Sequence, residues 1–360
     1  MIPYGRQDIS PEDIEAVVQT LRSDWLTQGP AIERFENALA SYCGVEHAVA
    51  VSNATAALHI GCLSLGLKAG DLLWTSPNTF LATANAARYC GANVDFVDID
   101  PLTYNMSMRA LEGKLDQAKR TGRLPQIVTA VHHSGQSCDL KRLAELSQQY
   151  GFRVIEDASH AVGASYAGSK VGSGRYSDLT VFSFHPVKII TTAEGGMIMT
   201  RSSELAEKLR LLRSHGMTRD EKQMRGPSQG PWYYEQIDLG YNYRMTDIQA
   251  ALGASQLTRL DGFIERRHAL VKRYHRAFEH LPLQLPHEES DRRSSWHLYV
   301  VRLKLDQIKK PHRQVFEELR AKDIGVNLHY IPVHLQPYYQ DLGFKAGDFP
   351  EAESYHREAI

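Results

Sequence analysis

Short apolar runs alternate with amphipathic segments along the first two thirds of the chain. Seven of these runs have the length and composition of buried strands, and helical segments or polar loops separate them. The predicted strands cover residues 47–52, 72–77, 93–100, 126–133, 152–158, 179–184 and 195–200. This alternation predicts an α/β fold with a mostly parallel central sheet that helices cover on both faces.

Helix signals surround these strands. Ser10 and Pro11 open a helix, because serine caps a helix start and proline fits its first turn. Gly44 ends a second helix. The predicted helices cover residues 10–23, 31–44, 53–66, 80–89, 140–151, 245–281, 313–325 and 350–360.

The pattern changes after about Gly240. A long amphipathic helix, a strand over residues 297–305 and another helix predict a smaller α+β domain. We therefore divide the chain into a large domain, residues 1–245, and a small C-terminal domain, residues 246–360, because one hydrophobic core rarely serves a chain of this length. Since the chain stops in a helical segment, a further strand and helix are expected after it.

Composition excludes several classes of partner. The chain has 41 basic and 42 acidic residues, a formal net charge of -1, which gives no electrostatic reason to expect nucleic acid or an anionic membrane. We recognise no signal peptide, no apolar run of about 20 residues and no CxxC pair, so a cytoplasmic protein with free thiols is expected. His329 and His334 are poorly spaced for one helical face, and no metal site is expected.

Three segments carry candidate chemistry. In residues 52–58 a strand turns directly into a helix, whose free N–H groups attract anions, although an ordinary N-cap would look the same. Asp157 ends an apolar strand, where ligands bind in open α/β sheets, and a surface or capping acid is an equal alternative. Lys188 lies among valine and isoleucine residues in a loop between two strands. Partial burial would lower its pKa, as an amine nucleophile requires, whereas most lysines are simply solvated.

These segments, with Ser183 and the later GYNYRM at residues 240–245, resemble in order and spacing the nucleotide-sugar aminotransferases of the DegT/DnrJ/EryC1/StrS family. LTQGP, TSPNTFLATANA, GQSCD and RSHGM also match, and the similarity runs from about Tyr4 to the last residue. The resemblance implies a fold-type I pyridoxal-phosphate transferase, with Lys188 bound covalently to the cofactor. SFHPVKIITTAEGG and NLHYIPVH are similar to the PseC-type members, which aminate a UDP-linked 4-keto-6-deoxy-N-acetylhexosamine on the way to pseudaminic acid.

The resemblance assigns three side chains to the cofactor ring. Asp157 faces the pyridine nitrogen, and a carboxylate there keeps that nitrogen protonated. Phe80 stacks on the ring in a position where other members carry tyrosine or tryptophan. His160 lies near the other face of the ring or near its O3' atom.

The resemblance also implies a phosphate site. Ala54 and Thr55 offer backbone amides, and Thr55 and Ser183 offer hydroxyl groups. Ala54 stands where many members have glycine, which still permits close approach of the backbone. Asn242 is expected to reach the phosphate from the neighbouring subunit, and this implies a homodimer with shared active sites.

A UDP-linked keto-sugar and L-glutamate are the expected substrates of a ping-pong reaction, in which Lys188 is both covalent anchor and acid–base. The resemblance also places ten residues around the sugar nucleotide. For two of them, Tyr4 and Trp25, a role in simple packing is an equal alternative to substrate binding. The ten residues are Tyr4, Trp25, Leu26, Thr27, Gln28, His185, His329, Tyr330, Ile331 and Pro332.

Four other functions deserve comparison. A sugar 3-dehydratase of the same family would carry histidine in place of Lys188. Aminotransferases for a UDP-4-keto-pentose or a dTDP-4-keto-hexose remain open, since loops decide the sugar. A dinucleotide-dependent dehydrogenase would need a GxGxxG motif, and VGSGRYS lacks the third glycine. A non-enzymatic sensor should carry a DNA-binding module or a strong basic face, and neither is visible.

Overall fold

A seven-stranded sheet forms the centre of the computed structural model, which describes residues 1–360. In the sheet the strands follow the order β1-β7-β6-β5-β4-β2-β3, numbered along the chain. Strand β7 runs antiparallel to both of its neighbours, and the other neighbouring pairs are parallel. The seven predicted strands and the mostly parallel sheet are thus confirmed. The strands are β1 (His47–Val51), β2 (Leu72–Thr75), β3 (Asn93–Phe96), β4 (Ile127–Val131), β5 (Arg153–Asp157), β6 (Leu179–Ser183) and β7 (Gly196–Thr200).

Twelve α-helices accompany the sheet, and the first begins as predicted. The Ser10 hydroxyl accepts a hydrogen bond from Asp13 N, and the Asp13 carboxylate accepts one from Ser10 N. This reciprocal cap satisfies two amides at the helix start. The helices are α1 (Pro11–Leu21), α2 (Pro30–Cys43), α3 (Ala54–Ser64), α4 (Leu81–Tyr89), α5 (Met108–Thr121), α6 (Leu140–Tyr150), α7 (Ser203–Arg213), α8 (Asp247–Leu257), α9 (Leu260–Phe278), α10 (His312–Ala321), α11 (Pro337–Gln340) and α12 (Pro350–Glu358).

Apolar layers cover both faces of the sheet. Side chains of a strand point alternately to its two faces, so Val49 and Val51 of β1 pack in the layer that contains α3, α4 and α7. Ala48 and Ala50 pack in the opposite layer, which contains α2 and α8. On the same face as α2 and α8, helices α5 and α6 pack against β2, β4 and β5. The prediction of a sheet covered on both sides is confirmed.

The long helix predicted over residues 245–281 is broken into α8 and α9. The break coincides with the buried carboxylate of Asp13, which accepts hydrogen bonds from Ser255 Oγ and Gln256 Nε2, each at 2.6 Å, and from Arg259 Nη2 at 2.5 Å. A buried carboxylate needs such partners, because it has lost its hydration. The break thus lies at a contact to α1, of which the local sequence pattern contains no sign.

The C-terminal part differs from the prediction in its strand. Of residues 297–305, only Arg302–Leu303 pairs as a strand, with Leu283–Gln284. Helix α12 packs into the same apolar layer as α3 and α4, through Ala352 and Tyr355. The boundary at residue 245 stays a prediction.

None of the helices combines the length and the apolar character needed to cross a membrane. Several short elements complete the fold. Short 3₁₀ turns cover His133–Gly135 and Val333–Leu335. The remaining strand pairs join Ser165–Tyr166 to Ser169–Lys170 and to Arg292–Arg293, and Met217–Thr218 to Glu235–Gln236.

The carboxyl ends of β1, β5 and β6 meet at one edge of the sheet, because these strands are parallel. The start of β7 lies at the same edge, where Gly196 pairs with Val51 on one side and Ser183 on the other. A Cβ atom on Gly196 would lie 2.7 Å from the carbonyl carbon of Asn53 and 2.8 Å from Ala54 N. Glycine is thus required for β7 to approach the start of α3.

We expect Gly196→Ala to lower the free energy of unfolding by about 1–3 kcal/mol, because the added methyl group forces β7 away from backbone atoms. Denaturant unfolding measures this loss. Gly262→Ala on α9 is the matched control: a Cβ there meets no atom within 4 Å, and stability should stay equal or rise by up to about 1 kcal/mol. Equal stabilities of the Gly196 variant and the parent would contradict this prediction.

Candidate functional site

A cavity of about 1230 Å³ opens at this edge of the sheet. Most of the side chains predicted from the sequence lie on its wall, although they come from six separate stretches of the chain. The predicted residues on the wall are Tyr4, Ala54, Thr55, Phe80, Asp157, His160, Ser183, His185, Lys188, His329 and Tyr330.

The other predicted residues lie outside this cavity. Residues 25–28 pack beside the start of α8, where Thr27 forms a β-bridge with Thr246. Gln28 lines a separate cavity of about 240 Å³ together with Arg213 and Arg244. Asn242 is exposed and forms a β-bridge with Ser214. Neither Ile331 nor Pro332 lines the large cavity, and Ile331 is exposed.

Lys188 lies in the loop between β6 and β7. The amide N–H of Lys188 donates to the His185 carbonyl at 2.8 Å, and the loop closes where Thr192 N donates to the Phe184 carbonyl at 2.9 Å. The next two residues, Ile189 and Ile190, are buried in the apolar layer below. Burial lowers the pKa of the Lys188 amine to about 8, while the nearby Asp157 carboxylate acts in the opposite direction. The amine is therefore a usable nucleophile near neutral pH.

Asp157 ends β5 and is buried at the bottom of the cavity. One carboxylate oxygen, Oδ2, accepts a hydrogen bond from Thr83 Oγ1 at 2.6 Å, and the other accepts from Ser159 N at 3.1 Å. Thr83 is in turn bonded to Thr79 Oγ1 at 2.8 Å. These hydrogen bonds fix the direction of the carboxylate. Thr83 was not among the residues predicted from the sequence, although two hydroxyl residues four positions apart at a helix start are a usable signal.

The start of α3 offers free donors to the cavity. Asn53 caps the helix by accepting a hydrogen bond from Ala56 N at 2.8 Å. The amides of Ala54 and Thr55 have no acceptor within the chain, and both residues line the cavity. Ser183 adds a hydroxyl group to the same wall. Free amides at the positive end of a helix dipole form a site for a phosphate group.

Two hydrogen-bonded pairs form the opposite wall. Tyr330 OH lies 3.0 Å from His160 Nε2, and Tyr4 OH lies 2.7 Å from His329 Nε2. Ser134 N donates to His160 Nδ1 at 3.3 Å, so Nε2 carries the proton of the neutral ring and donates to Tyr330. Burial lowers the pKa of His160 well below its ordinary value, and Lys188 adds to this effect. The His329 pKa is lowered to about 4 for the same two reasons.

An aromatic group that the sequence analysis did not identify lines the remaining wall. His59, one turn after Thr55 on α3, contacts Tyr241, and its Nδ1 lies 3.2 Å from Tyr243 OH. Tyr241 and Tyr243 stack with ring centroids 4.9 Å apart. Since they are two positions apart in extended chain, they face the cavity while Asn242 between them faces outward. This alternation explains why Asn242 lies outside the cavity of its own chain.

The arrangement suits a phosphorylated aldehyde rather than a metal. No group of three or more histidine, cysteine, aspartate or glutamate side chains is placed to hold a metal ion. The cavity instead combines the Lys188 amine, the Asp157 carboxylate and the anion site at Ala54 and Thr55. An amine of lowered pKa attacks carbonyl compounds, and a fixed carboxylate keeps a nearby ring nitrogen protonated.

Comparison with protein-family models gives one match, the DegT/DnrJ/EryC1/StrS aminotransferase family, over residues 7–360. The chain belongs to this family and is a sugar aminotransferase. The spore coat polysaccharide biosynthesis protein SpsC of Bacillus subtilis is 40% identical over 362 residues, covering 100% of this chain and 91% of SpsC. A UDP-4-amino-4,6-dideoxy-N-acetyl-beta-L-altrosamine transaminase of Campylobacter jejuni is 38% identical over 349 residues, covering 95% of this chain and 87% of the relative.

Solved structures agree with this assignment. Helicobacter pylori PseC, an aminotransferase of pseudaminic acid biosynthesis, superposes with a TM-score of 0.90 at 31% identity, covering 100% of this chain and 92% of PseC. Spr1654 from Streptococcus pneumoniae, in its PLP form, gives 0.88 at 29% identity, covering 99% of this chain and 92% of Spr1654. Its PMP form gives 0.89 at the same identity. The expected fold class and family are confirmed.

In the cofactor-free protein we expect Lys188 to react with an amine-directed reagent at a rate that rises with pH and levels off above about pH 8, because only the uncharged amine reacts. Because burial lowers the pKa of Lys188 from its ordinary value of 10.5 to about 8, its uncharged fraction rises around pH 8. A solvated lysine loses its proton only at higher pH. Peptide mass spectrometry after short labelling at pH 6 to 11 gives the profile. Exposed lysines such as Lys222 provide the internal standard for reagent concentration. A Lys188 profile that still rises steeply above pH 10 would refute the expectation.

Proposed function

We propose that this chain uses pyridoxal phosphate to transfer the amino group of L-glutamate to the C4 ketone of a UDP-linked 4-keto-6-deoxy-N-acetylhexosamine, as in the pseudaminic acid pathway. The observation that carries the proposal is the convergence of a buried amine, a fixed carboxylate and a free helix start on one cavity. Relatives with PLP and PMP forms support the cofactor, and the Campylobacter jejuni transaminase supports the sugar.

The residues present fit this cofactor. Its phosphate would take the free amides of Ala54 and Thr55 and the Ser183 hydroxyl, and its pyridine nitrogen would face Asp157. Phe80, at the exposed rim, would cover the ring from one side. When bound, the cofactor supplies an electron sink that makes the Cα proton of an amino acid acidic.

Lys188 has two tasks in this proposal. It holds the cofactor covalently between turnovers, which needs an uncharged amine at working pH. Displaced by a substrate amine, it takes the proton from the donor carbon and later delivers one to C4 of the sugar. A pKa of about 8 serves both tasks, because the amine can then lose and regain a proton at similar cost near neutral pH.

Asp157 works without moving. Its two oxygens are held by Thr83 and Ser159, so its charge stays on the ring side of the cavity. A negative charge there stabilises the protonated pyridine nitrogen, and this protonation makes the ring a strong electron sink. His160 stays neutral by burial and therefore contributes a hydrogen bond, not a positive charge.

The cavity volume of about 1230 Å³ exceeds the range of roughly 300–1,000 Å³ common for small-molecule sites. It therefore has room for a sugar nucleotide beside the cofactor. Tyr4, His185, His329 and Tyr330 line the wall that would contact the substrate. A different nucleotide-linked keto-sugar is the second candidate, because SpsC is at least as similar to this chain as the altrosamine transaminase.

A second copy of the chain completes each site in this proposal. Asn242 is exposed beside Tyr241 and Tyr243, which line the cavity, so it is available to a neighbouring chain. The loop of residues 25–28 lies next to Thr246 on the same surface and exposes Trp25 and Leu26. Exposed apolar side chains of this size commonly mark an interface.

Lys188→Ala should abolish multiple turnover, because it removes both the covalent anchor and the proton carrier. The assay incubates a panel of UDP- and dTDP-linked keto-sugars with L-glutamate and identifies amino-sugar products by mass. Lys222→Ala, a change of an exposed lysine, is the matched control and should retain full activity. Borohydride reduction of the parent followed by peptide mapping should place the cofactor on Lys188. Reduction at another lysine, or no amino sugar from any member of the panel, would reject the proposal.

Asp157→Asn should reduce turnover on the order of 10²- to 10⁴-fold, because the isosteric amide still fits but cannot hold the ring nitrogen protonated. Thr83→Val removes only one hydrogen bond to the carboxylate and should cost less than Asp157→Asn. Steady-state kinetics with a saturating donor, together with titration of cofactor binding, separates weak binding from slow chemistry. Unchanged turnover in Asp157→Asn would exclude Asp157 from the mechanism.

A further inference from the structure

Tyr355 on α12 does not line the cavity, yet its hydroxyl group is bonded to one wall of it. The side chain is fully buried, and Tyr355 OH donates to the His329 carbonyl oxygen at 2.8 Å. The same hydroxyl oxygen lies 3.0 Å from His133 Nε2. Because the single hydroxyl hydrogen is used on the carbonyl, His133 must be the donor in the second bond.

His133 is suited to that donation. Burial lowers its pKa to about 3, and the neighbouring His329 and Lys188 act in the same direction, so the ring stays neutral and carries one N–H. Its Nδ1 has no partner in the chain, which agrees with a proton on Nε2. His133 and Tyr355 therefore form a directed pair that ends on the His329 carbonyl.

The segment that receives this bond carries two side chains of the cavity wall. His329 pairs with Tyr4, and Tyr330 pairs with His160. Besides the bond from Tyr355, the backbone of these two residues is held by Tyr330 N, which donates to Asn78 Oδ1 at 3.2 Å, and by a contact between the Tyr330 backbone and the His356 ring. The position of both wall side chains thus depends on a few backbone hydrogen bonds.

We propose that Tyr355 is a positioning residue for the reaction, whose hydroxyl group fixes the His329–Tyr330 backbone and through it the wall that faces Lys188. The kinetic part of this inference rests on the proposed function. The structural part does not, because the hydrogen bonds exist without any ligand. Removing the hydroxyl would leave the His329 carbonyl and the His133 N–H buried without partners, which favours a shift of the segment.

The ring of Tyr355 has a separate packing role that a suitable variant keeps. It contacts Tyr104 with ring centroids 4.7 Å apart and His133 edge-on at 5.6 Å. Tyr355→Phe keeps these contacts and removes only the hydroxyl group. Tyr104→Phe is the matched control, because its buried hydroxyl lies 3.4 Å from Gln284 Nε2 and does not contact the cavity wall.

The experiment compares the two variants by hydrogen–deuterium exchange and by kinetics of the holoenzyme. In Tyr355→Phe, amides of residues 328–333 should exchange about 10-fold faster, because the local structure opens more easily. The value of kcat/KM for the keto-sugar should fall about 10- to 100-fold, as expected for displaced positioning groups. The glutamate half-reaction, followed by cofactor absorbance, should change by less. Tyr104→Phe should match the parent in both measurements.

Each other result counts against the proposal. Unchanged exchange over residues 328–333 would show that the hydroxyl does not hold the segment, and faster exchange with unchanged kcat/KM would remove its role in the reaction. If the parent aminates no keto-sugar, the proposed function fails, while the exchange data still decide the structural part. If Tyr355→Phe does not fold, His133→Leu replaces it, because leucine has no N–H group to donate to Tyr355. Loss of this donor should raise exchange in the same segment, and no rise would overturn the inference.

A double variant tests whether Tyr355 acts through the wall. Tyr330→Phe removes the hydroxyl that bonds to His160. If Tyr355 works by placing Tyr330, the combined loss in kcat/KM should be smaller than the product of the two single losses. Losses that multiply would show that the two residues act independently, which contradicts a positioning role.

Discussion

The site depends on one buried amine, that of Lys188, which must still be able to gain and lose a proton near neutral pH. Burial of Lys188 disfavours its charged form, and the Asp157 carboxylate partly restores it, so the pKa settles at about 8. The proposed chemistry of Lys188 needs both effects. Without burial, the lysine would almost always be charged at neutral pH. Without the carboxylate, the buried lysine would hold no proton to deliver. The loop between β6 and β7 provides the burial, because Ile189 and Ile190 anchor it in the apolar layer below.

Sheet topology brings the opposing groups together. Strands β1, β5 and β6 run in one direction, so the start of α3, Asp157 and the Lys188 loop lie at the same edge of the sheet. Antiparallel β7 begins at this edge, with Gly196. Only a residue without a side chain lets β7 come this close to the first peptide of α3. The site is therefore a consequence of the rigid part of the fold, and the more distant segments supply its walls.

Sequence reasoning succeeded where the cause is local. Apolar runs predicted all seven strands. Asp157, at the end of one run, and Lys188, in the loop after another, were assigned through the resemblance to a known family, and their roles stay a prediction. Sequence reasoning failed where the cause lies far along the chain. The predicted long helix is interrupted at a contact with Asp13, more than 240 positions away, and the Asp157 carboxylate is held by Thr83 of α4. Tyr355 reaches the cavity wall only after α12 has packed on the sheet, so no pattern near residue 355 could indicate it.

The charges of the cavity agree with the proposed homodimer. Its wall carries the carboxylates of Asp157 and Glu194, one lysine and no arginine, and burial keeps His160 and His329 neutral. The nucleotide diphosphate of the proposed substrate would bring several negative charges, and Lys188 could not balance them if it holds the cofactor as proposed. Diphosphates are normally bound by cationic side chains. Arg244 lies two residues after the outward-facing Asn242, beside Gln28 at the small second cavity. The surface proposed to meet a neighbouring chain therefore carries the kind of cation that the cavity lacks, and a second copy would supply charge as well as shape.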